Sequence, residues 1–206
     1  MRSCHSARRI TCSVVNATTP AQYFHFLRCQ PLIVFTPKRM LRNAKAVSTI
    51  QELMTGGFRE VIRGSAKLDP DKVSRVVLCS GQVYYDLAQA REERKSSSVA
   101  ILRLEQIYPF PAEEVEEALS AYPANAEVIW SQEEPRNMGA WRSVQDSLQP
   151  MLDSSGRTLH YVGRAESASP AAGSLKRHQQ EQAELIGNVF ATGVDAELQG
   201  MHLVTG

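Results

Sequence analysis

Short β-branched and apolar runs alternate with amphipathic helical stretches along most of this chain, and that alternation limits its fold more than any other feature. The runs fall at residues 32–35, 75–79, 99–104, 127–130 and 158–162. Several are apolar at nearly every position, as suits strands covered on both faces rather than wetted on one. Between them lie helical patterns. Thr19-Pro20 opens a helix over 21–28 with Tyr23, Phe24 and Leu27 as its stripe. Val83, Leu87 and Ala90, beside Tyr84 and Arg91, mark another to about Lys95. Val115, Ala118, Leu119 and Tyr122 follow Pro109-Phe110-Pro111, and Trp141, Val144, Leu148 and Leu152 mark the next, ending near 150–156. Ser174 caps the last, with Leu175, His178, Leu185, Ile186 and Val189 on its apolar face. This predicts an α/β fold: a three-layer, doubly wound, mostly parallel sheet with right-handed crossovers, one domain over 31–190. Residues 55–71, rich in Gly and Pro, read as a long surface connection, and residues 191–206 as a loose tail.

With 206 residues, 43% of them hydrophobic, the chain can bury one sizeable core or a core plus an appendage. Lys+Arg 23 against Asp+Glu 22 gives no pull toward nucleic acid or membrane. No apolar run nears the roughly 20 residues of a membrane span. The charge is unevenly spread: residues 1–51 hold eight basic side chains and no acid, leaving 15 basic against 22 acidic groups beyond. The Arg- and Ser-rich opening, 1–9, has the composition of an organelle transit peptide; a frayed terminus or the arbitrary start of a partial gene product explains it more simply. Cys4, Cys12, Cys29 and Cys79 form no CxxC pair and have no histidine company at metal spacing. Reduced thiols are the economical reading, with Cys79 a small buried hydrophobe.

Parallel strands would gather their carboxyl ends on one edge. That edge collects Ser80-Gly81-Gln82, Glu105-Gln106, Gln132-Glu133-Glu134 and Gly163-Arg164, with helices starting at Val83 and near Ala140 aiming amides at it. Small residues at Ser80-Gly81 and Gly139-Ala140 would admit an anionic group close to the backbone. A phosphate or adenine nucleotide suits this rim, and so does packing against a partner domain. Glu133 and Glu134, neighbours on an extended segment, cannot both serve one cleft. A carboxylate fixing the loop or pairing with Arg136 or Arg164 is the simpler role than acid–base work.

A hydrolytic triad of Ser80, His160 and Asp86 lacks the G-x-S-x-G elbow, and His160 falls inside a strand. His178 reads as a satisfied boundary histidine. Lys38, Arg42 and Lys45, joined by Arg39, share a face if 38–46 is helical; that face is either solvated or an anion contact. Neither G-x-x-x-x-G-K-[ST] nor G-x-G-x-x-G occurs, which argues against an independent nucleotide hydrolase or dinucleotide fold.

Six ordered segments resemble one family. Residues 15–25 (VNATTPAQYFH) look like the end of the pyrimidine-binding domain of the decarboxylating first component of 2-oxoglutarate dehydrogenase. Residues 31–42 (PLIVFTPKRMLR), 79–86 (CSGQVYYD), 103–111 (RLEQIYPFP), 132–141 (QEEPRNMGAW) and 161–170 (YVGRAESASP) resemble its carboxyl-terminal domain. The resemblance implies a three-layer domain of the transketolase carboxyl-terminal type. It divides the chain into an unmatched basic leader (1–13), the end of the pyrimidine domain (14–30), the carboxyl-terminal domain (31–190) and a tail (191–206).

The full enzyme of that family decarboxylates 2-oxoglutarate on thiamine diphosphate with magnesium and passes the succinyl group to a lipoyl-bearing acyltransferase. It works as a homodimer in the citric acid cycle. In some members this domain holds an adenine-nucleotide or CoA effector, for which Ser80, Gln82, Gln132, Gly139 and Ala140 are the candidate contacts. The join between Leu27 and Pro31 is shorter than the family pattern. The G-D-G magnesium motif and the activating glutamate are absent, so no catalytic or metal-ligating residue carries over. This chain alone is expected to hold neither cofactor.

The expectation is therefore a structural and regulatory portion of an oxidoreductase, inactive alone, in the mitochondrial matrix if eukaryotic and the cytoplasm if bacterial. A bared apolar surface should drive it to self-associate. A 2-oxoadipate-acting relative, a free-standing adenine-nucleotide or CoA module, and a non-functional gene fragment are the alternatives.

Overall fold

The computed structural model describes residues 13–28, 40–64, 68–170 and 173–191. The run at 32–35, Lys38 and Arg39, the basic leader up to residue 12 and the tail beyond Ala191 lie outside them. In chain order the elements are β1 (Val14–Val15), α1 (Pro20–Leu27), α2 (Ile50–Met54), β2 (Val61–Arg63), β3 (Arg75–Cys79), α3 (Val83–Arg94) and β4 (Val99–Leu104). There follow β5 (Gln106–Tyr108), α4 (Ala112–Ser120), β6 (Glu127–Pro135), α5 (Trp141–Ser154), β7 (Leu159–Arg164) and α6 (Leu175–Phe190).

The sheet runs β2-β4-β3-β6-β7, parallel throughout except for β2, which pairs antiparallel with β4 on the edge. The fold is α/β with a mostly parallel mixed sheet and helices on both faces. β3 sits in the middle, every residue buried. Its alternation divides the core: Val76 and Leu78 join the cluster under α4 and α5, while Val77 and Cys79 join the one under α3 and α6. Burial of each such side chain contributes about 1.5–3 kcal/mol, which is why this run needs no polar face. α5 places Trp141, Val144, Leu148 and Leu152 inward, all at most 5% exposed. It carries Pro150 in its interior and continues to Ser154, because Leu152 beyond the proline is still core.

Two arginines tie helix ends to the sheet. Arg75, at the start of β3, donates Nη1 to the carbonyls of Val189 (2.7 Å) and Ala191 (2.6 Å), and holds Glu127 with Nε and Nη2. Arg157 donates to the carbonyls of Leu119, Tyr122 and Pro123 past α4. Arg75 satisfies carbonyls at the end of α6 that a helix terminus leaves without backbone partners, and Arg157 adds a charged donor to the turn after α4.

The structure corrects five expectations. The buried side chains of α1 are Ala21, Gln22 and His25, whereas Phe24 and Leu27 of the stripe read from sequence are 42% and 50% exposed. Residues 55–71 include a strand, β2, whose Ile62 is 4% exposed, together with a 3₁₀ turn at Pro70–Lys72. Residues 40–46 form no α-helix: a 3₁₀ turn at Met40–Arg42 gives way to a turn in which Asn43 Oδ1 accepts from Lys45 N, so Arg42 and Lys45 share no helical face. β6 runs on through Gln132, Glu133 and Glu134 to Pro135 instead of stopping at Trp130. Leu175 is 73% exposed, outside the apolar face assigned to it.

α3 ends on Lys95 at φ 51°, the left-handed conformation that a Cβ disfavours. Lys95→Gly should therefore raise unfolding stability by about 1 kcal/mol, read from the urea midpoint at unchanged slope.

Candidate functional site

The chain leaves β3 for β4 on one side, then crosses back past β3 to β6 and on to β7. The order reverses at β3, which makes the carboxyl ends of β3 and β6 the switch-point crevice at which open α/β sheets bind ligands. Ser80-Gly81-Gln82 follows β3, and Gly139-Ala140 precedes α5. Gln82 and Ala140 occupy the cap positions of α3 and α5, and neither makes a side-chain cap bond. Gly81 (φ 73°) and Gly139 (φ 67°) adopt the left-handed backbone that these two turns require.

Gln132 has a different use from the one its neighbours suggest. It is 2% exposed, with both ends of its amide spent on its own loop. Oε1 accepts from Trp130 Nε1 and from Trp141 N, the first amide of α5, each at 3.0 Å. Nε2 donates to the carbonyls of Met138 (2.8 Å), Pro135 (3.2 Å) and Glu134 (3.3 Å). A Cβ on Gly139 would come within 2.9 Å of that amide, so only glycine fits beside it. Gln132 thus shapes the rim from beneath while Gly139 and Ala140 form its surface. Asn137 reinforces it by exchanging two hydrogen bonds with the Ser167 backbone. Ser80 Oγ, just past β3, and Ser131 Oγ, on β6 opposite Cys79, are buried with no hydrogen-bond partner.

Beside the crevice lies a polar node. Glu105, just past β4, is fully buried and accepts from Thr18 N at 2.7 Å and, in a very short bond, from Thr18 Oγ1. Arg103 Nη1 donates to the same hydroxyl at 3.0 Å, its guanidinium lying 4.3 Å from the centre of the Tyr84 ring. Tyr85 OH donates to the Thr18 carbonyl. Burial pushes the Glu105 carboxyl above the usual glutamate range, against the Thr18 bonds and Arg103, which favour its charge. Burial likewise lifts Tyr85 to about 12 and the Cys79 thiol to about 12, which leaves that thiol inert. Asn16, Thr18, Arg103 and Tyr85 fall in segments that resemble the family, yet nothing in them marks a shared node: Thr18 meets Glu105 across 87 residues.

Other side chains considered from sequence are separated or occupied. Ser80 follows the carboxyl end of β3, His160 sits near the amino end of β7, and Asp86 on α3 accepts from Gln182, so no triad assembles. Arg164 turns to α6, its Nη2 2.6 Å from His178 Nδ1 and its Nε 3.6 Å from Glu181. Arg136 lies 5.3 Å over the Tyr161 ring. Among the described residues no three His, Cys, Asp or Glu side chains come together as a metal site, and no helix is long and apolar enough to cross a membrane.

The family profile described as 2-oxoglutarate dehydrogenase C-terminal matches residues 47–190. The chain is 45% identical over 185 residues to the 2-oxoglutarate dehydrogenase E1 component of Cupriavidus necator, covering 86% of this chain and 19% of that protein. It is 42% identical over 182 residues to the E1 component of Azotobacter vinelandii (84% and 19%). It is also 42% identical over 188 residues to the Caenorhabditis briggsae protein named 2-oxoglutarate dehydrogenase, mitochondrial (86% and 18%). The chain spans about a fifth of the length of these relatives.

Gln132→Ala leaves Trp130 Nε1, Trp141 N and the Met138 carbonyl without their partner. It should cost about 3 kcal/mol by denaturant titration and blue- or red-shift the indole emission before global unfolding; an unshifted spectrum and midpoint would show the clamp to be idle. Glu105 yields a pH signature. A raised carboxyl pKa contributes stability that is complete below the ordinary glutamate value of 4.5 and is lost as pH rises through its folded value. Glu105→Gln abolishes that titration, so wild-type stability should fall relative to the variant as pH climbs, measured by urea midpoints across the acid-to-neutral range.

Proposed function

Since this chain belongs to the 2-oxoglutarate dehydrogenase C-terminal family, we propose that it serves as the carboxyl-terminal domain of the first component of a 2-oxoglutarate dehydrogenase complex. In that assembly the whole component decarboxylates 2-oxoglutarate and passes the succinyl group to lipoyl arms of an acyltransferase, as a homodimer in the citric acid cycle. The proposed division assigns 1–13 to a leader, 14–30 to the end of the pyrimidine-binding domain, 31–190 to a domain of the transketolase carboxyl-terminal type, and 191–206 to a tail. The compartment is the mitochondrial matrix for a eukaryotic source and the cytoplasm for a bacterial one.

The observation that carries this reading is the coincidence of the match over 47–190 with a single three-layer core whose rim carries no acid–base or nucleophilic constellation. Thiamine diphosphate and magnesium supply the decarboxylation chemistry of the whole component. Among the described residues no three His, Cys, Asp or Glu side chains gather to hold the magnesium, and no step of the chemistry is assigned to this span. Its own contributions are structural and regulatory. The exposed side chains of Val14, Phe24, Leu27, Val47, Ile50 and Met54 suit contact with neighbouring domains. At the rim, an adenine-nucleotide or CoA effector would meet Ser80, Gln82, Gly139 and Ala140, on a surface held by Gln132. The start of α3, which has no side-chain cap, favours its anionic groups.

Replacing the matching stretch of the Cupriavidus necator protein by residues 47–190 of this chain tests the reading. The chimera should assemble and decarboxylate 2-oxoglutarate at about the parental rate, since a domain that only supports the site leaves transition-state contacts untouched. This chain alone, supplied with both cofactors, should release no carbon dioxide. An insoluble chimera, or turnover by the isolated chain, would overturn it.

A further inference from the structure

The segment Asn16-Ala17-Thr18 joins β1 to α1 and lies across the carboxyl ends of β4 and β3. Its fastenings all come from the rim. Asn16 N donates to the Glu105 carbonyl (2.8 Å), Thr18 N and Oγ1 donate to the Glu105 carboxylate, Arg103 holds the Thr18 hydroxyl and Tyr85 holds its carbonyl. The Asn16 carboxamide rests on the turn between β3 and α3 so closely that a Cβ on Gly81 would overlap it. That turn is the one a ligand must reach to meet the uncapped start of α3.

Immediately beyond it the rim has hydrogen-bonding capacity to spare. Ser131, 0% exposed, and Ser80 each bury a hydroxyl oxygen with no partner, and Arg103 Nε is likewise unpartnered. Buried polar atoms in this condition mark places where water or a polar ligand completes the bonding. The segment therefore covers the β4–β3 side of a rim in which the hydroxyls of Ser80 and Ser131 and the Nε of Arg103 remain without partners.

We propose that residues 16–18 are a strap that gates this rim: a ligand seating on the Ser80-Gly81-Gln82 turn displaces the Asn16 carboxamide and loosens the strap, and α1 with it. The inference rests on the effector reading above and names how that site is regulated. Coupling of this kind is reciprocal, so whatever holds α1 in place weakens ligand binding at the turn, and ligand weakens the hold on α1. The apparent affinity of the rim is its intrinsic affinity reduced by the fraction of molecules with the strap displaced.

AMP serves as the probe, on the full chain and on Asn16→Ala and Thr18→Val, with binding followed by calorimetry and strap docking by amide hydrogen exchange at residues 16–18 and in α1. Asn16→Ala clears the turn and should bind AMP about fivefold tighter than wild type; AMP should hasten exchange at residues 16–18 and in α1 but not in β3. Binding by the variants and not by wild type would support the gate most directly. Equal affinity in wild type and Asn16→Ala with unaltered exchange would overturn the gate and leave the effector reading intact. Absence of AMP binding from all three, with exchange in Thr18→Val reporting a freed strap, would overturn the effector reading and the gate together. Should Thr18→Val fail to fold by the fluorescence of Trp130 and Trp141, Asn16→Ala, which leaves the Thr18–Glu105 node whole, decides the matter alone.

Discussion

The parallel pairing of β3 with β4 on one side and β6 on the other governs the rest of this structure. β3 is buried along its whole length, its side chains divided between two apolar layers. A strand so placed cannot slip by one residue without carrying Val76 and Leu78 into the layer built for Val77 and Cys79. Register is thereby fixed across three strands, Cys79 standing opposite both Arg103 and Ser131. From that row the polar groups of the rim are positioned. Arg103 leads to Glu105 and the Thr18 node, Ser131 leads to Gln132, and Cys79 leads to the Ser80-Gly81-Gln82 turn. Apolar packing at the centre thus decides where the chemistry at the edge can stand.

Two buried polar devices exploit this rigidity in opposite ways. Gln132 is neutral and saturated, so it stabilises its loop at any pH and does not offer itself to solvent. The Thr18 node buries a carboxyl and a guanidinium that do not clasp one another but share a hydroxyl. Thr18 Oγ1 has one proton, which goes to Glu105, and a lone pair, which takes Arg103. A hydroxyl in this role is all or nothing. Withdrawing the segment exposes both charged groups to water at once, and returning it requires both to be desolvated together. Docking of residues 16–18 is cooperative for that reason.

Strong periodicity made most of the layers legible. The runs at 75–79 and 99–104 became β3 and β4 with unchanged bounds, and α3, α4, α5 and α6 follow the apolar stripes read from the chain. Their signals are local and repeated. β2 was hidden because three residues, one of them the exposed Arg63, give too short a pattern between glycines at 56, 57 and 64. The extension of β6 was hidden because Gln132, Glu133 and Glu134 are polar; the ladder to β7 resumes at Pro135, opposite Arg164, after a bulge that follows the Gln132–Gly163 pair. The rim itself was legible from topology, since strand ends and helix starts fall at fixed places once the sheet is parallel. The Thr18–Glu105 contact was not, because nothing in a sequence marks two residues 87 apart as partners.

The distribution of exposed apolar surface ties these points together. Of the eight exposed large hydrophobics among the described residues, Val14, Phe24, Leu27, Val47, Ile50, Met54 and Tyr108 lie on elements before β2 or on the ribbon partner of β1, and Leu175 alone lies elsewhere. The outer surfaces of α3, α4 and α5 show none, so the asymmetry belongs to one region rather than to the fold as a whole. Exposed apolar side chains cost about 25 cal/mol per Å² in water, and the neighbouring domains of the proposed assembly would cover these. The same region is fastened to the rim through Thr18. A body resting on α1 and a ligand resting on the β3–α3 turn would therefore act on the same three-residue segment from its two sides, which is the arrangement a regulatory joint between a supporting domain and its neighbours requires.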